Sequence, residues 1–301
     1  METQVTTLIL GAAGFIGGAL FRKMRYVEGV IPIATSSTIG RNLDRDPRWL
    51  EPLLVEADTV YLCAGQTGGV GKMATDPMSF ILPNVRIHMN VFELCAKHGV
   101  KRVICVQSTT GYPDSPRPMR EDQYHQGTLH PAYRVPGTAH RFIEKISHLF
   151  PFETLFFRPS NVYGPGNDFS PDKSHVIEAT VRKVAERQNP FVIWGDGSQT
   201  RDAVFISDLV DAMILGAKWP AGAYNIAAGE EMDVTTIAKT LCDHAGFDPE
   251  FQFDLTRPQA IPARRLDISL AKMLGWSPKV SMKEGLALTY DWFVKEVELS
   301  A

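Results

Sequence analysis

Hydrophobic residues in the first half of the chain gather into short, nearly unbroken runs: Val5–Leu10, Val30–Thr35, and residues 59–64, 103–106 and 154–157. A strand with one wet face would alternate apolar and polar side chains. Runs without alternation suit strands covered on both faces of a parallel sheet. Helical spacing fills the gaps, first from about Gly14 and most clearly over residues 83–98, where Gly99 is placed to close the helix. Strand–helix–strand order repeated in this way predicts right-handed crossovers and a doubly wound α/β sheet of Rossmann type.

After Arg158-Pro159 the pattern changes. Residues 160–175 are rich in Gly, Pro, Asn, Asp and Ser and predict a long functional loop. Helical spacing over 176–187 follows, then a strand at Phe191–Trp194 and a turn at Gly195-Asp196-Gly197. Asp233 is placed to cap a helix whose Ile237, Ala238, Leu241 and Ala245 share one face, with Gly246 ending it. A last amphipathic stretch covers 282–297. The expected division is a dinucleotide-binding domain, residues 1–158, and a smaller α/β substrate lobe, residues 159–301, interleaved with it.

The length of 301 residues and an apolar share of 44% supply a substantial core. Net charge is -3 with both signs mixed along the chain, and no basic stripe argues for nucleic acid or an anionic membrane surface. The apolar start could pass for a leader or a span. Glu2 stands where a leader would be basic, and Gly11, Gly14, Gly17 and Gly18 interrupt the run, so strand, turn and helix explain it better. Cys63, Cys95, Cys105 and Cys242 lie far apart among apolar neighbours, which suits reduced thiols and a cytoplasmic protein. The histidines show no metal-ligand spacing, so no metal site is expected.

Chemistry enters at Gly11-Ala12-Ala13-Gly14-Phe15-Ile16-Gly17, between the first strand and the first helix. A pyrophosphate must approach bare backbone N–H groups at a helix N-terminus. Gly11 permits the tight turn, Gly14 the close approach and Gly17 the packing of helix on strand. The second strand runs on into Ser36 and then Arg41 without the acid that commonly bonds the ribose of NAD. Serine plus arginine suits a 2′-phosphate, which favours NADP over NAD, unless Arg41 is only a solvated loop residue.

The motif order then resembles the extended short-chain dehydrogenases/reductases that remodel nucleotide-activated sugars. The resemblance rests on G-x-x-G-x-x-G, Val60-Tyr61-Leu62-Cys63-Ala64-Gly65, Ser108-Thr109-Thr110-Gly111-Tyr112, Arg158-Pro159-Ser160-Asn161-Val162-Tyr163-Gly164, Trp194-Gly195-Asp196-Gly197 with Arg201-Asp202, and Leu274-Gly275-Trp276. Within that family the chain is most similar to the GDP-fucose synthases, through Thr67-Gly68-Gly69-Val70-Gly71, Gln126-Gly127-Thr128-Leu129-His130-Pro131, and Asn167-Asp168-Phe169 leading to Ser174-His175-Val176-Ile177. The resemblance implies cofactor contacts from Ala64, Gly65 and Pro159. It places Asn161 between nicotinamide and sugar, Arg182, Arg201 and Arg264 on a diphosphate, and Trp194 under a base. It also implies a homodimer through helices near 83–98 and 138–149. His175 falls at the family's epimerisation acid, or simply caps the next helix. Thr110 stands where that acid's cysteine partner is found.

The superfamily moves a hydride with a serine, a tyrosine, and a lysine four residues after the tyrosine, whose ammonium favours the phenolate. Ser108 and Tyr133 fill the first two roles. The lysine position holds Gly137, and Pro136 beside it fits only the first turn of a helix. Three readings stay open. Another cation stands in, such as Arg134, His140 or an arginine from elsewhere; the reaction needs no strong phenolate base; or redox chemistry is lost and the protein binds nucleotide in a regulatory role. A non-redox lyase or hydrolase on the same scaffold is a further alternative.

Overall fold

The computed structural model describes residues 5–35, 42–66, 76–115, 117–171, 174–256 and 263–300. Its main sheet holds β1 (Val5–Leu10), β2 (Val30–Thr35), β3 (Thr59–Leu62), β4 (Arg102–Val106), β5 (Glu153–Pro159) and β9 (Gly222–Ile226). The order is β2-β1-β3-β4-β5-β9 and every pair is parallel. From β1 the chain first steps outward to β2, then returns to place β3 on the opposite side. Such a reversal opens a crevice at the carboxyl ends of the strands.

Unbroken apolar strands have a visible cause here. In β1, Leu8, Ile9 and Leu10 are all fully buried although successive side chains point to opposite faces. Leu8 and Leu10 pack with Val60, Val103 and Phe156 against Val91, Phe92 and Cys95 of α3 (Met78–His98) and Ile143 of α4 (Arg134–Ser147). Ile9 packs with Tyr61, Ile104 and Leu155 against Leu20 and Met24 of α1 (Phe15–Met24) and Leu209 and Met213 of α6 (Ile206–Gly216). This second core continues without a break into the other lobe.

That lobe contains a three-stranded sheet, β10 (Glu231–Asp233), β8 (Thr200–Phe205) and β6 (Asn161–Tyr163), and a parallel pair of β7 (Phe191–Trp194) with β11 (Phe251–Asp254). Around them lie α5 (Val176–Ala185), α7 (Val234–His244) and α9 (Met282–Ser300), whose Val181, Ile237, Leu241 and Leu286 join the same core.

Both helix stops come out as expected, with Gly99 at φ +71° and Gly246 at φ +57°. Asp233 Oδ1 accepts the Thr236 N–H at 2.8 Å, the cap foreseen for α7. One boundary differs. The expected start at Pro83 gives way to a start at Met78, with Pro83 inside the helix, where it leaves one backbone hydrogen bond unmade. Strand β9 and helix α6, which return from the second half to complete the first sheet, have no counterpart in the expected elements. No helix among the described residues is long and apolar enough to cross a membrane.

Candidate active site

The glycine turn sits where β1 ends and α1 begins. Gly11 has φ +89°, and a Cβ there would lie 2.7 Å from the Ala64 nitrogen. A Cβ on Gly17 would lie 2.3 Å from the Gly11 carbonyl oxygen. The turn, the helix and the end of β3 are therefore in backbone contact, which only glycine allows. Gly14 caps α1 with no side-chain hydrogen bond, and no acid occupies the first turn. The first-turn amides, including those of Phe15 and Ile16, thus face outward with the positive end of the helix. Across the crevice, Ala64 and Gly65 follow β3. Asn84 of α3 holds that loop by accepting from the Gln66 N–H at 2.7 Å and donating to the Gln66 carbonyl at 2.8 Å. Pro159 closes β5 nearby in the sheet order and is buried. Ser36 and Arg41 lie outside the described residues.

Ser108 begins the turn after β4. Its Oγ lies 3.0 Å from Thr110 Oγ1 and accepts the Thr110 N–H at 3.2 Å. A buried polar network holds this turn from below. Tyr124 donates to the Ser108 carbonyl at 2.8 Å, and its ring lies 3.7 Å from the Arg158 guanidinium carbon. Arg158 donates from Nε to Glu144 at 3.0 Å and from Nη1 to Tyr112 Oη at 3.0 Å; Tyr112 in turn donates to Asn225 at 2.5 Å. Burial pushes the Glu144 carboxyl up, but hydrogen bonds from His125 and Arg158 outweigh it and hold it below its ordinary value. Arg141 of α4 adds bonds to the Gly111 and Gln126 carbonyls at 2.8 and 2.6 Å. Sequence reading passed over this network. The only signal available was a run of tyrosines and charges in segments that looked like ordinary surface.

Tyr133 is the residue just before α4, and Pro136 sits in the first turn of that helix. Gly137 is buried against the serine turn: a Cβ there would meet the Thr110 carbonyl oxygen at 2.4 Å and Leu129 Cδ1 at 3.0 Å. The backbone of the serine turn at Thr110 occupies the space a side chain would need. Cations reach Tyr133 from the other lobe instead. The Arg264 guanidinium carbon lies 4.7 Å from the centre of the Tyr133 ring, and its Nη1 donates to the Thr109 carbonyl at 2.9 Å. Burial lowers both Arg264 and Arg201, and Tyr133 opposes the shift in each. Ser108, Thr110, Tyr133, Arg201 and Arg264 are thus drawn together.

The remaining predicted residues lie on other elements. Asn161 opens β6 and is exposed. His175 precedes α5, where its side chain makes no cap, and burial lowers its imidazole. No described contact joins it to Ser108 or Tyr133. Arg182 donates to the Phe169 carbonyl at 3.4 Å and pairs with Glu186 at 3.8 Å, within its own lobe. Trp194 ends β7 with its indole 56% exposed. On the same strand, the Val192 carbonyl accepts from Lys183 at 2.7 Å, a cation that the sequence reading did not single out. Glu178 and Asp202 are buried carboxyls, each pushed up to about 7 chiefly by burial.

A bare-amide turn at the head of a parallel sheet defines a Rossmann-like fold of the short-chain dehydrogenase/reductase kind. The chain belongs to the NAD dependent epimerase/dehydratase family, whose model matches residues 7–227. It is 30% identical to GDP-L-fucose synthase 1 of Arabidopsis thaliana over 98% of this chain and 95% of that protein. Identity to the GDP-L-fucose synthase of Escherichia coli (strain K12) is 28%, over 95% of this chain and 96% of that protein. Among solved structures, a GDP-6-OMe-4-keto-L-xylo-heptose reductase from C. jejuni superposes with a TM-score of 0.87 at 21% identity, covering 98% of this chain and 99% of that one. A UDP-glucose 4-epimerase of Thermotoga maritima has a TM-score of 0.83 at 24% identity, covering 97% and 100%. The sequence resemblance and the Rossmann fold both hold.

Proposed function

We propose that the protein carries out NAD(P)-dependent epimerisation, keto-reduction or dehydration of a nucleotide-activated sugar. The observation that carries this reading is that Arg264 links the Tyr133 ring to the turn holding the Ser108–Thr110 hydroxyl pair, in a fold whose first glycine turn fits a pyrophosphate. The fit is physical: the outward first-turn amides suit an anion, and the glycines at 11 and 17 leave no side chain in its way. A nicotinamide cofactor held there supplies or accepts hydride at a sugar carbon. Gly11, Gly14, Phe15, Ile16, Gly17, Ala64, Gly65 and Pro159 would hold it. Ser36 and Arg41 would favour NADP over NAD through a 2′-phosphate.

On this reading Ser108 orients the reacting oxygen, and Tyr133 gives it or takes from it a proton. His175 and Thr110 are the candidate carriers of a second proton, which an epimerisation needs. The lobe boundary is placed near 158/159, with residues 222–226 threaded back into the first sheet. Asn161 would lie between nicotinamide and sugar, Arg182, Arg201 and Arg264 would contact the diphosphate, and Trp194 would offer a flat face to the base. The enzyme would work in the cytoplasm as a homodimer.

The relatives named for GDP-sugars make GDP-4-keto-6-deoxy sugars the first substrates to try, with UDP-sugars beside them. NADPH and NADH should be titrated by fluorescence, then each sugar added while the nicotinamide absorbance is followed. Consumption of reduced cofactor, or cofactor-dependent isomerisation seen by product analysis, supports the reading. Sugar binding without either change would instead assign the chain a redox-inactive, regulatory role.

A further inference from the structure

The position that should hold a lysine is closed to any side chain, so the charge beside Tyr133 must be sought elsewhere. The nearby residues of α4 do not supply it. His140 is half-buried with its enclosed Nδ1 unpartnered among the described residues, and desolvation pushes it down to about 4, so it is neutral near pH 7. Arg141 is held by the carbonyls of Gly111, Gln126 and Gly127. Arg134 is exposed and lines an apolar hollow with Met78, Val135 and Phe142 on the outer side of the helix.

We propose that Arg264, carried by the substrate lobe, is the positioning residue that provides the cationic partner of Tyr133. Its guanidinium lies over the phenol ring, is tied to the Thr109 carbonyl, and keeps a buried Nη2 with no hydrogen-bond partner among the described residues. An unpartnered, charged donor in a closed site is costly unless something anionic is to meet it. The backbone that follows it is fixed to Met119 by two hydrogen bonds. The Met119 N–H donates to the Arg265 carbonyl at 3.0 Å, and the Asp267 N–H to the Met119 carbonyl at 2.9 Å. Asp202 adds a carboxylate that accepts backbone N–H groups of Ala228, Gly229 and Leu266. The arrangement is a built one.

The step it serves is a simple proton transfer. When the Tyr133 O–H bond breaks, the proton goes to the substrate oxygen and the electron pair stays on the phenol oxygen, delocalised into the ring. A guanidinium over that ring stabilises the developing negative charge. Other groups facing the pair are Arg201, which also acts on Tyr133; His130, whose ring centre is 5.9 Å from that of Tyr133; and Asp114 and Tyr124, which act on Arg264. The consequence is that the base and its cation belong to different lobes, so the spacing between lobes sets how well the tyrosine works.

This inference deepens the proposed function at the same site, and its main test needs neither cofactor nor sugar. The tyrosinate absorbance band should be followed against pH for the wild type, R264Q and R264K, each paired with its Y133F counterpart so that the difference reports Tyr133 alone. The step assigned to Tyr133 should move to higher pH in R264Q and stay near the wild type in R264K. R264M serves as a second neutral variant if R264Q does not fold. If the sugar is turned over, kcat should fall roughly tenfold or more in R264Q, with its pH profile displaced the same way. An unmoved tyrosinate step in the neutral variants overturns the proposal, whether or not any sugar reacts. So does a rise in KM alone with kcat and its pH profile unchanged, which would make Arg264 purely a diphosphate contact.

Discussion

At Gly137 the geometry argues against reading the missing lysine as a simple deletion. A Cβ would stand 2.4 Å from a backbone oxygen, and a backbone oxygen cannot swing aside as a side chain does. Gly137→Lys is therefore expected not to restore a family-like site but to destabilise the fold, by about 1–3 kcal/mol or more, with Gly137→Ala at the lower end. Denaturant unfolding checks this, and a Gly137→Lys variant as stable as the wild type would contradict it. A second residue makes a pH prediction. Glu178 is buried, accepts from Asn167 Nδ2 at 2.6 Å, and has its carboxyl raised from 4.5 to about 7, first by burial and against the hydrogen bond from Asn167. The folded state thus holds a proton that the unfolded state releases. Stability from this group is complete below pH 4.5 and is lost as pH rises through about 7, amounting to about 3 kcal/mol. Glu178→Gln keeps an acceptor for Asn167 and removes the ionisation. Its melting temperature should match the wild type near pH 5 and exceed it at pH 8. A constant difference across that range would show that Glu178 does not carry the slope.

Among the elements, α1 has the sharpest requirement. Its first turn touches the Gly11 carbonyl, and a methyl at residue 17 would lie 2.3 Å from that oxygen. Gly17→Ala must push the helix off the turn and misalign the amides that face the crevice. Loss of NADPH fluorescence enhancement by tenfold or more in affinity, with far-ultraviolet dichroism intact, is the expected result. The same element shows why much of the fold was legible in the sequence. Glycines at 11, 14 and 17 and an unbroken apolar strand are local signals, and local geometry answers them one for one. Strand β7 and the Asp233 cap were readable for the same reason. By contrast, β9 completes the sheet from more than sixty residues downstream, and its short GAYNI segment has no local mark of belonging there. The cleft residues divide in the same way. Ser108 and Tyr133 stand in recognisable positions, whereas the stacking of Arg264 on Tyr133 depends on two lobes meeting. Spacing along a chain does not encode that contact.

For the whole molecule, the outer faces of α3 and α4 pose the remaining question. Met78, Leu82, Val135 and Phe142 are between 41% and 48% exposed, and they share this surface with Ala139 and Ile81. Singly such residues are unremarkable, but grouped on two adjacent helices they form a patch that water does not favour. In the proposed homodimer, a twofold axis would bring the helix pairs of two copies together and bury both patches at once in a four-helix packing. Stable dimers of this kind cover roughly 800 Å² per partner, an area that two helices of this length can offer. Placing charge at the centre should therefore separate the copies without touching the crevice. Val135→Glu with Phe142→Glu is expected to sediment as a monomer at concentrations where the wild type is a dimer, while retaining NADPH binding. Because α4 also packs its inner face against the serine turn through Gly137, the monomer should lose more turnover than cofactor affinity. A wild type that is already monomeric at high concentration would refute the arrangement, and a dimer that survives both substitutions would place the interface on another face.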